Sequence, residues 1–400
     1  MREVVLVDGM RTAFGKRGGS LKDFNPSQLG IMVAKGLLDK TQLLERGAKP
    51  DTIVCGSAFV DCGSSSPARY VTLGCDLEDT AAITVEMQCG TSIAAVNTAA
   101  MRILTGCSEI ALAGGFESHS RRVASFSTWV DPYKGLGPQP AVRYLCPLPH
   151  QNVTMPEFSD LMAQRWEISR GACDEFALRS QQRAASAVAN GYFKEEIVPI
   201  EVPGTKKNPG FIFDTDEHLR PNVTMADLEK LRPVRGGDNV TTAGNASGVN
   251  DGASFVLMMT AEKAQELGLE PFARWVTCGD VGVDPRYTGI GAAYSNLNAI
   301  KRAGLRVSDI DVFECNEAFA AQNLAVIKEM EICSGEKIDM EKWNPNGGAI
   351  AFGHPNGASG TRIGIACMKE LARRGGRYGL FSSCCGGGQG TTAIIENLRR

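Results

Sequence analysis

The two ends of this chain repeat one order of elements, and that duplication narrows the folds open to it more than any other feature. LERGAKPDTIV at 44–54 parallels IKRAGLRVSDIDV at 300–312. Each is followed by a glycine-bearing turn and a small-residue helix, CGTSIAAVNTAAMRILTG at 89–106 and GASGTRIGIACMKELARRGG at 357–376, then by a strand and a glycine cluster. Recurrence of a whole series of elements marks a duplicated unit. The unit is α/β, because short β-branched runs ending in small residues recur beside helical stretches: EVVLVD at 3–8, SEIALAGG at 108–115, RYGLFSS at 377–383 and TTAII at 391–395. Runs that are apolar throughout, without alternation, suit strands covered by helices on both faces. We expect two similar α/β halves, 1–118 with a continuation to about 270 and 271–400, with equivalent helix starts at a shared interface.

Residues 119–250 read differently. They begin with an irregular, proline-rich stretch, SRRVASFSTWVDPYKGLGPQPAVRYLCPLPHQNV, and continue into helical patterns at 157–168 and 174–190. Phe158, Leu161, Met162 and Trp166, then Phe176, Leu178 and Ala184, supply the helical spacing. We expect an inserted loop domain that covers a site. A scaffold loop or an oligomer contact is the alternative for 119–150.

Composition excludes several functions. With 42 basic and 45 acidic residues the formal charge is −3, too little to hold nucleic acid or an acidic membrane by bulk field. No apolar run reaches the ~18 residues of a membrane span, and the N-terminus lacks the form of a signal peptide. Thirteen cysteines, an odd number without paired spacings, argue against a disulfide framework and for reduced thiols in a cytoplasmic setting. No CxxC occurs and no metal site is expected. Most cysteines, Cys107, Cys278 and Cys367 among them, read as small core hydrophobes.

Four segments have chemical settings. Cys89, in VEMQCGTSIAAV, starts a predicted helix, where the backbone N–H groups lower a thiol pKa and are placed to hold an oxyanion; a packing cysteine at a helix start has the same signature. Cys384 precedes three glycines in FSSCCGGGQG, which is either a turn or a place where a ligand approaches the backbone. Its neighbour Cys385 is a spectator or a vicinal oxidation partner. His354, in GGAIAFGHPNGASG, is set in a glycine-flanked turn that exposes it to a cleft as a general base or donor. His119, His150 and His218 lack that setting and read as surface or structural residues. Asn316, in ECNEAFAAQ, is a helix cap or an amide that fixes a water against developing charge.

Together the blocks around Cys89, TTAGNASGVNDGA at 241–253, NEAFAAQ at 316–322, NGGAIAFGHPNGASGTR at 346–362 and CCGGGQG at 384–390 resemble the thiolase family, in order and over nearly the whole chain. The resemblance implies a thiolase fold: two βαβαβαββ halves in five layers, αβαβα, with an inserted loop domain. It implies a CoA-dependent acyltransferase that performs reversible Claisen condensation of acetyl-CoA with an acyl-CoA, or thiolytic cleavage of a 3-ketoacyl-CoA, by a ping-pong route. Cys89 then carries the acyl group, His354 helps form its thiolate, and Cys384 is the acid and base at the α-carbon. His354 and a water on Asn316 hold the enolate oxygen, while the amides of Cys89 and Gly386 hold the acyl-enzyme oxyanion.

The same resemblance places Ser247 and Arg220 against the pantetheine and adenine nucleotide of coenzyme A, and Phe319 and Met155 at the acyl pocket. Counting back from Trp166 gives Thr154, Met155 and Pro156 where acetoacetyl-CoA-type thiolases carry His-Met-Gly, so only the methionine matches. Coenzyme A is expected as substrate with no permanently bound cofactor, and the assembly as a homodimer or homotetramer. The expected activity is acetyl-CoA C-acetyltransferase; the alternatives are a 3-ketoacyl-CoA thiolase of longer or unusual chains and a non-catalytic acyl-CoA-binding subunit. Ketoacyl synthases and HMG-CoA synthase-like enzymes are set aside because they lack a second cysteine before the glycines.

Overall fold

The computed structural model describes residues 2–127, 133, 137–204, 206 and 209–400. Five strands build the first half: β1 (Val4–Thr12), β2 (Thr52–Gly56), β3 (Ala81–Thr84), β4 (Ile110–Ser118) and β5 (Asn250–Thr260). Four build the second: β6 (Ala273–Gly282), β7 (Ile310–Cys315), β8 (Tyr378–Cys385) and β9 (Gln389–Asn397). The first half runs β3-β2-β4-β5-β1 and the second β7-β8-β9-β6, the same path with the same parallel and antiparallel pairings. In the second half the counterpart of β3 shrinks to one parallel bridge, Phe313 to Trp343. A short antiparallel pairing of Val5 with Arg274 and Leu6 with Ala273 joins the two sheets at their edges.

Helices α1 (Pro26–Thr41) and α2 (Pro67–Gly74) cover the outer face of the first sheet, over a core that includes Leu29, Val33, Leu37, Phe116 and Phe255. Helix α3 (Thr91–Leu104) belongs to the central layer. The segment between β4 and β5 contributes α4 (Met155–Arg165) and α5 (Arg170–Ala189). In the second half, α6 (Gly291–Ala303) packs on β6 and β9, and α7 (Ala320–Ser334) follows β7. Helix α8 (Asn356–Arg374) lies against α3, touching β4 and β5 of one sheet and β7 and β8 of the other. The layers are therefore αβαβα, with α3 and α8 in the middle and Ile93, Val96, Ile363, Ile365 and Met368 among the residues filling that seam. A helix between two sheets must be apolar nearly all round, and α8 is buried from Gly357 to Leu371.

The expected helix at 157–168 begins earlier, at Met155. Thr154 and Glu157 form a capping box and Pro156 occupies the first turn, where its missing N–H has no partner to lose. Helices α4 and α5 bury Phe158, Met162, Trp166 and Phe176 against α7 and neighbouring parts of the second half. Of the 119–150 stretch, 128–132 and 134–136 lie outside the described residues. Its flanks pair as Phe126–Ser127 with Gln139–Pro140, extended by the Ala141 N–H donating to the Ser125 carbonyl at 2.8 Å. Cys107 is not a core residue but exposed, because it follows the last turn of α3 and reaches solvent. All thirteen cysteines are free. Among the described residues no helix is long and apolar enough to cross a membrane, and no cluster of three or more His, Cys, Asp or Glu is arranged to hold a metal ion.

Candidate active site

Two helix starts meet where the halves face each other. Gln88–Gly90 forms a single 3-10 turn that leads into α3, and Gln88 adopts φ +49°, a left-handed conformation that costs a non-glycine residue about 1 kcal/mol or more. The turn is held by Thr91, whose hydroxyl donates to the Gln88 carbonyl at 2.7 Å and accepts from the Met87 N–H at 2.9 Å. This turn presents Cys89. Helix α8 arrives from the other half, seated on β4 so tightly that a Cβ on Gly115 would overlap the Gly357 carbonyl oxygen. Glu117 fastens that seat by accepting from Ser57 Oγ (2.7 Å), the Ala58 N–H (2.9 Å) and the Gly357 N–H (3.1 Å).

The Cys89 sulfur is half-buried and accepts from Asn356 Nδ2 at 3.1 Å. Sequence position alone implied a lowered thiol pKa, but burial pushes it up to about 11, with the Asn356 amide opposing, the Glu117 carboxylate adding, and the N–H groups of Cys89 and Gly386 opposing. Desolvation of a thiolate outweighs the few backbone donors that a short turn supplies. Cys384, at the end of β8, is buried, and burial followed by the neighbouring thiols Cys89, Cys385 and Cys315 drives its pKa well up. It is a neutral thiol at rest. Cys385 faces Gly90, where any Cβ would strike its sulfur.

His354 is buried at 5% exposure rather than open to a cleft, because its turn is folded under the segment before β5. Its N–H donates to the Gly248 carbonyl and to Asn250 Oδ1, each at 3.1 Å. The Ser359 hydroxyl donates to the Pro355 carbonyl at 3.1 Å, so its lone pair accepts from His354 Nδ1–H at 2.6 Å. The Nε2 lone pair then faces the amides of Asn356 at 3.3 Å and Asn316 at 3.4 Å. Burial, with the neighbouring His119 ring and the Arg362 guanidinium opposing a second proton, holds the imidazole down to about 3, so it is neutral and able to accept a proton. Asn316 is not a helix cap: Phe319 is the N-cap of α7, and Asn316 points its side chain at His354 with Oδ1 buried and unpartnered.

Two residues beside Cys89 are not marked by the sequence pattern as part of the site. Asn356, at the first position of α8, binds Cys89, and its Oδ1 meets His119 Nε2 at 2.6 Å. His119 is neither a surface residue nor remote from the site; it is buried, because β4 ends beside α8 and turns its last residues inward. The signal was the polar run Glu117-Ser118-His119 closing an otherwise apolar strand.

Phe319 stacks edge-on against Phe158 with centroids 5.2 Å apart, and Ala246 bridges to Phe319. Ser247 donates its N–H to the Ala318 carbonyl at 3.0 Å, which places it beside the NEAF turn. Met155 opens α4, half exposed. Arg220 is exposed, its backbone N–H held by Gln181 Oε1 at 2.9 Å. From the irregular stretch, Leu145 reaches over the glycine turn, its side chain nearest to Gly386 and its carbonyl to Gly387.

Comparison with known proteins adds to this geometry. The family descriptions "Thiolase, N-terminal domain" and "Thiolase, C-terminal domain" match residues 4–262 and 269–397. The chain is 41% identical to the beta-ketothiolase BktB of Cupriavidus necator, over 99% of this chain and 100% of that protein. It is 37% identical to the acetyl-CoA acetyltransferase of Thiocystis violacea, over 99% of each. Among solved structures, human mitochondrial 3-ketoacyl-CoA thiolase in complex with CoA superposes with a TM-score of 0.89 at 37% identity, covering 99% of this chain and 98% of that one.

Proposed function

This chain belongs to the thiolase family and has the thiolase fold, and from that premise we propose that it transfers acyl groups between coenzyme A thioesters through Cys89. Carrying the reading is one arrangement: the Cys89 sulfur lies among hydrogen-bond donors, with a neutral imidazole and a second thiol, Cys384, beside it.

For thiolysis, the Cys89 thiol gives its proton to His354 Nε2 and the sulfur attacks the 3-keto carbon of a 3-ketoacyl-CoA. The resulting oxyanion lies against the amides of Cys89 and Gly386. The C2–C3 bond breaks, leaving the acyl group on Cys89 and an acetyl-CoA enolate whose oxygen faces His354 and a water on Asn316. Cys384 donates its proton to C2 and acetyl-CoA departs. An incoming CoA thiol returns a proton to the Cys384 thiolate and attacks acyl-Cys89, so that acyl-CoA leaves and the Cys89 thiolate recovers its proton from His354. Condensation is the reverse. A thiol with a raised pKa suits the Cys384 role, because the α-carbon of a thioester is itself a weak acid and proton transfer is easiest between groups of similar strength.

Ser247 and Arg220 are assigned to coenzyme A, and Phe319 and Met155 to the acyl chain; 119–250 is read as the cover of the site, which the approach of Leu145 to Gly386 supports. We assign the substrate as acetyl-CoA with acetoacetyl-CoA, and a longer 3-ketoacyl-CoA is the second reading, favoured by the human relative's 3-ketoacyl-CoA specificity as named. Assembly as a homodimer or homotetramer fits the half-exposed strand β3 that ends the sheet. Free thiols fit a cytoplasmic location. The direct test mixes purified protein, free CoA and a panel of 3-ketoacyl-CoA substrates: loss of the ketoacyl thioester is expected with acetoacetyl-CoA first, and no turnover at any chain length would refute the assignment.

A further inference from the structure

The steps above use His354, Asn316, Cys89 and Cys384, and leave two polar side chains at the nucleophile without a task. Asn356 Nδ2 lies 3.1 Å from Cys89 Sγ and 3.3 Å from His354 Nε2, while Asn356 Oδ1 lies 2.6 Å from His119 Nε2. The orientation of this amide is determined by its neighbours. A Cys89 thiolate only accepts hydrogen bonds, and His354 Nε2 also accepts, because Nδ1 commits its proton to Ser359 Oγ at 2.6 Å. Two acceptors on one side require the NH2 group there. The oxygen must then face His119, which fixes that ring as the Nε2–H tautomer.

His119 cannot turn away easily. It is buried at 4% exposure, the ring of Phe59 meets it edge-on with centroids 5.4 Å apart, and the Arg122 guanidinium covers Phe59 at 3.8 Å from the ring centroid. The stack Arg122, Phe59, His119, Asn356, Cys89 therefore runs unbroken from the loop after β4 to the reactive sulfur. An amide held on only one side would rotate about its terminal torsion at little cost.

We infer that Asn356 is a catalytic hydrogen-bond donor to the Cys89 sulfur and that His119 is the positioning residue that aims it; this rests on the proposed role of Cys89 as nucleophile. The donor serves both half-reactions, since the sulfur attacks as a thiolate in the first and departs as one in the second. A charge-assisted hydrogen bond is the kind that changes most when the sulfur ionises. The amide is assigned to the sulfur rather than to the bound substrate, so its loss is expected to lower kcat and leave KM nearly unchanged.

The test reads the sulfur directly. Alkylation of Cys89 by iodoacetamide at neutral pH is followed by mass spectrometry of the Cys89 peptide in the wild type, Asn356→Leu, His119→Leu and His119→Gln. Other groups around this sulfur and its neighbours are Glu117 at the end of β4, His354 in the loop before α8, Cys384 and Cys385 on β8, and the fixed charges of Arg17, Arg122 and Arg362. All are common to the four proteins, so differences between them report on the donor.

Asn356→Leu is expected to slow alkylation roughly three- to tenfold, the net of a thiol pKa raised by about one to two units and the greater intrinsic nucleophilicity of the more basic sulfur. His119→Leu should slow it less, and His119→Gln, which can still donate to Asn356 Oδ1, should restore it. Unchanged rates in both leucine variants, with unchanged thermal melting, overturn the inference, as does a glutamine variant no faster than His119→Leu. If Asn356→Leu does not fold, the two His119 variants decide alone. Incubation of the wild type with acetoacetyl-CoA separates the two levels: no acetyl group on Cys89 overturns the proposed function and the catalytic role with it, whereas normal labelling with unchanged alkylation overturns only the inference.

Discussion

The two halves follow one path through their sheets, yet they bring different things to the centre. In the first half the helix start carries the proposed nucleophile, Cys89, and the strand end carries clamps, Glu117 and His119. In the second half the roles are exchanged: the strand end carries the second buried thiol, Cys384, and the helix start carries a donor, Asn356. Duplication supplied two equivalent corners, and the fold brings them face to face because α3 and α8 share the central layer. The periphery differs as well. The third strand of the first half is a half-exposed edge, whereas its counterpart is a single bridge at Trp343, which is fully buried and stacked on Phe313.

The comparison breaks first at the two thiols. Cys89→Ser should lower turnover by roughly three orders of magnitude or more and abolish acyl-enzyme formation, whereas Cys384→Ser should still acylate but fail to exchange the α-protons of acetyl-CoA. Mass spectrometry of the Cys89 peptide and deuterium exchange monitored by NMR check the two; equal loss of acylation in both would contradict the division of labour.

At the periphery, Trp343→Ala is expected to cost about 3–5 kcal/mol in chemical denaturation, through a cavity and the lost partner of Asn323 at 3.0 Å. Ile83→Ala, at the matching place in the first half, should cost about 1 kcal/mol or less, since β3 is only half buried. Similar losses at the two places would mean that the shortened strand is not compensated by the buried indole. Gly115→Ala, which pushes a methyl against the Gly357 carbonyl, should cost roughly 1–3 kcal/mol and lower kcat as well, because α8 carries both Asn356 and His354's turn.

A further prediction concerns the acid limb of stability. Burial and nearby positive charge place the folded pKa of His119 at about 4 and of His354 at about 3, below their ordinary 6.5. The unfolded chain therefore binds more protons, so the stability these rings contribute is complete above 6.5 and is lost as pH falls toward those values. Glu117, pushed by burial up to about 7 from 4.5, acts in the opposite sense, its contribution present below 4.5 and lost as pH rises through 7. Replacing His119 by Gln should flatten the fall of stability with acid by about 1.4 kcal/mol per pH unit between about 6.5 and about 4. Urea melts of both proteins across that range would show it, and parallel curves would mean that His119 does not titrate differently on folding.

Much of this was legible one segment at a time. The strands at β1, β4, β8 and β9 follow from β-branched runs, and the helices after Cys89 and Pro355 from small-residue periodicity. Cys89, His354, Asn316 and Cys384 stood out because glycines and polar residues interrupt apolar runs at their positions. His119 did not, since the polar run Glu117-Ser118-His119 that closes β4 marks the place without telling a surface ring from one turned into a seam. Cys107 was misread for the converse reason, an apolar neighbourhood in sequence that ends in solvent.

By itself the sequence determined the repeated α/β unit, the places where the chain turns sharply, and the residues able to do thiol chemistry, because these depend on periodicity, backbone permissiveness and side-chain type. The tertiary structure alone decided their states. Whether a thiol lies at 9.0 or about 11, whether an imidazole is neutral, and which way an asparagine amide faces depend on water excluded and on partners from the other half, up to 267 positions away in the chain for Asn356 and Cys89. Desolvation and hydrogen bonding act through space, and no local run of residues encodes them.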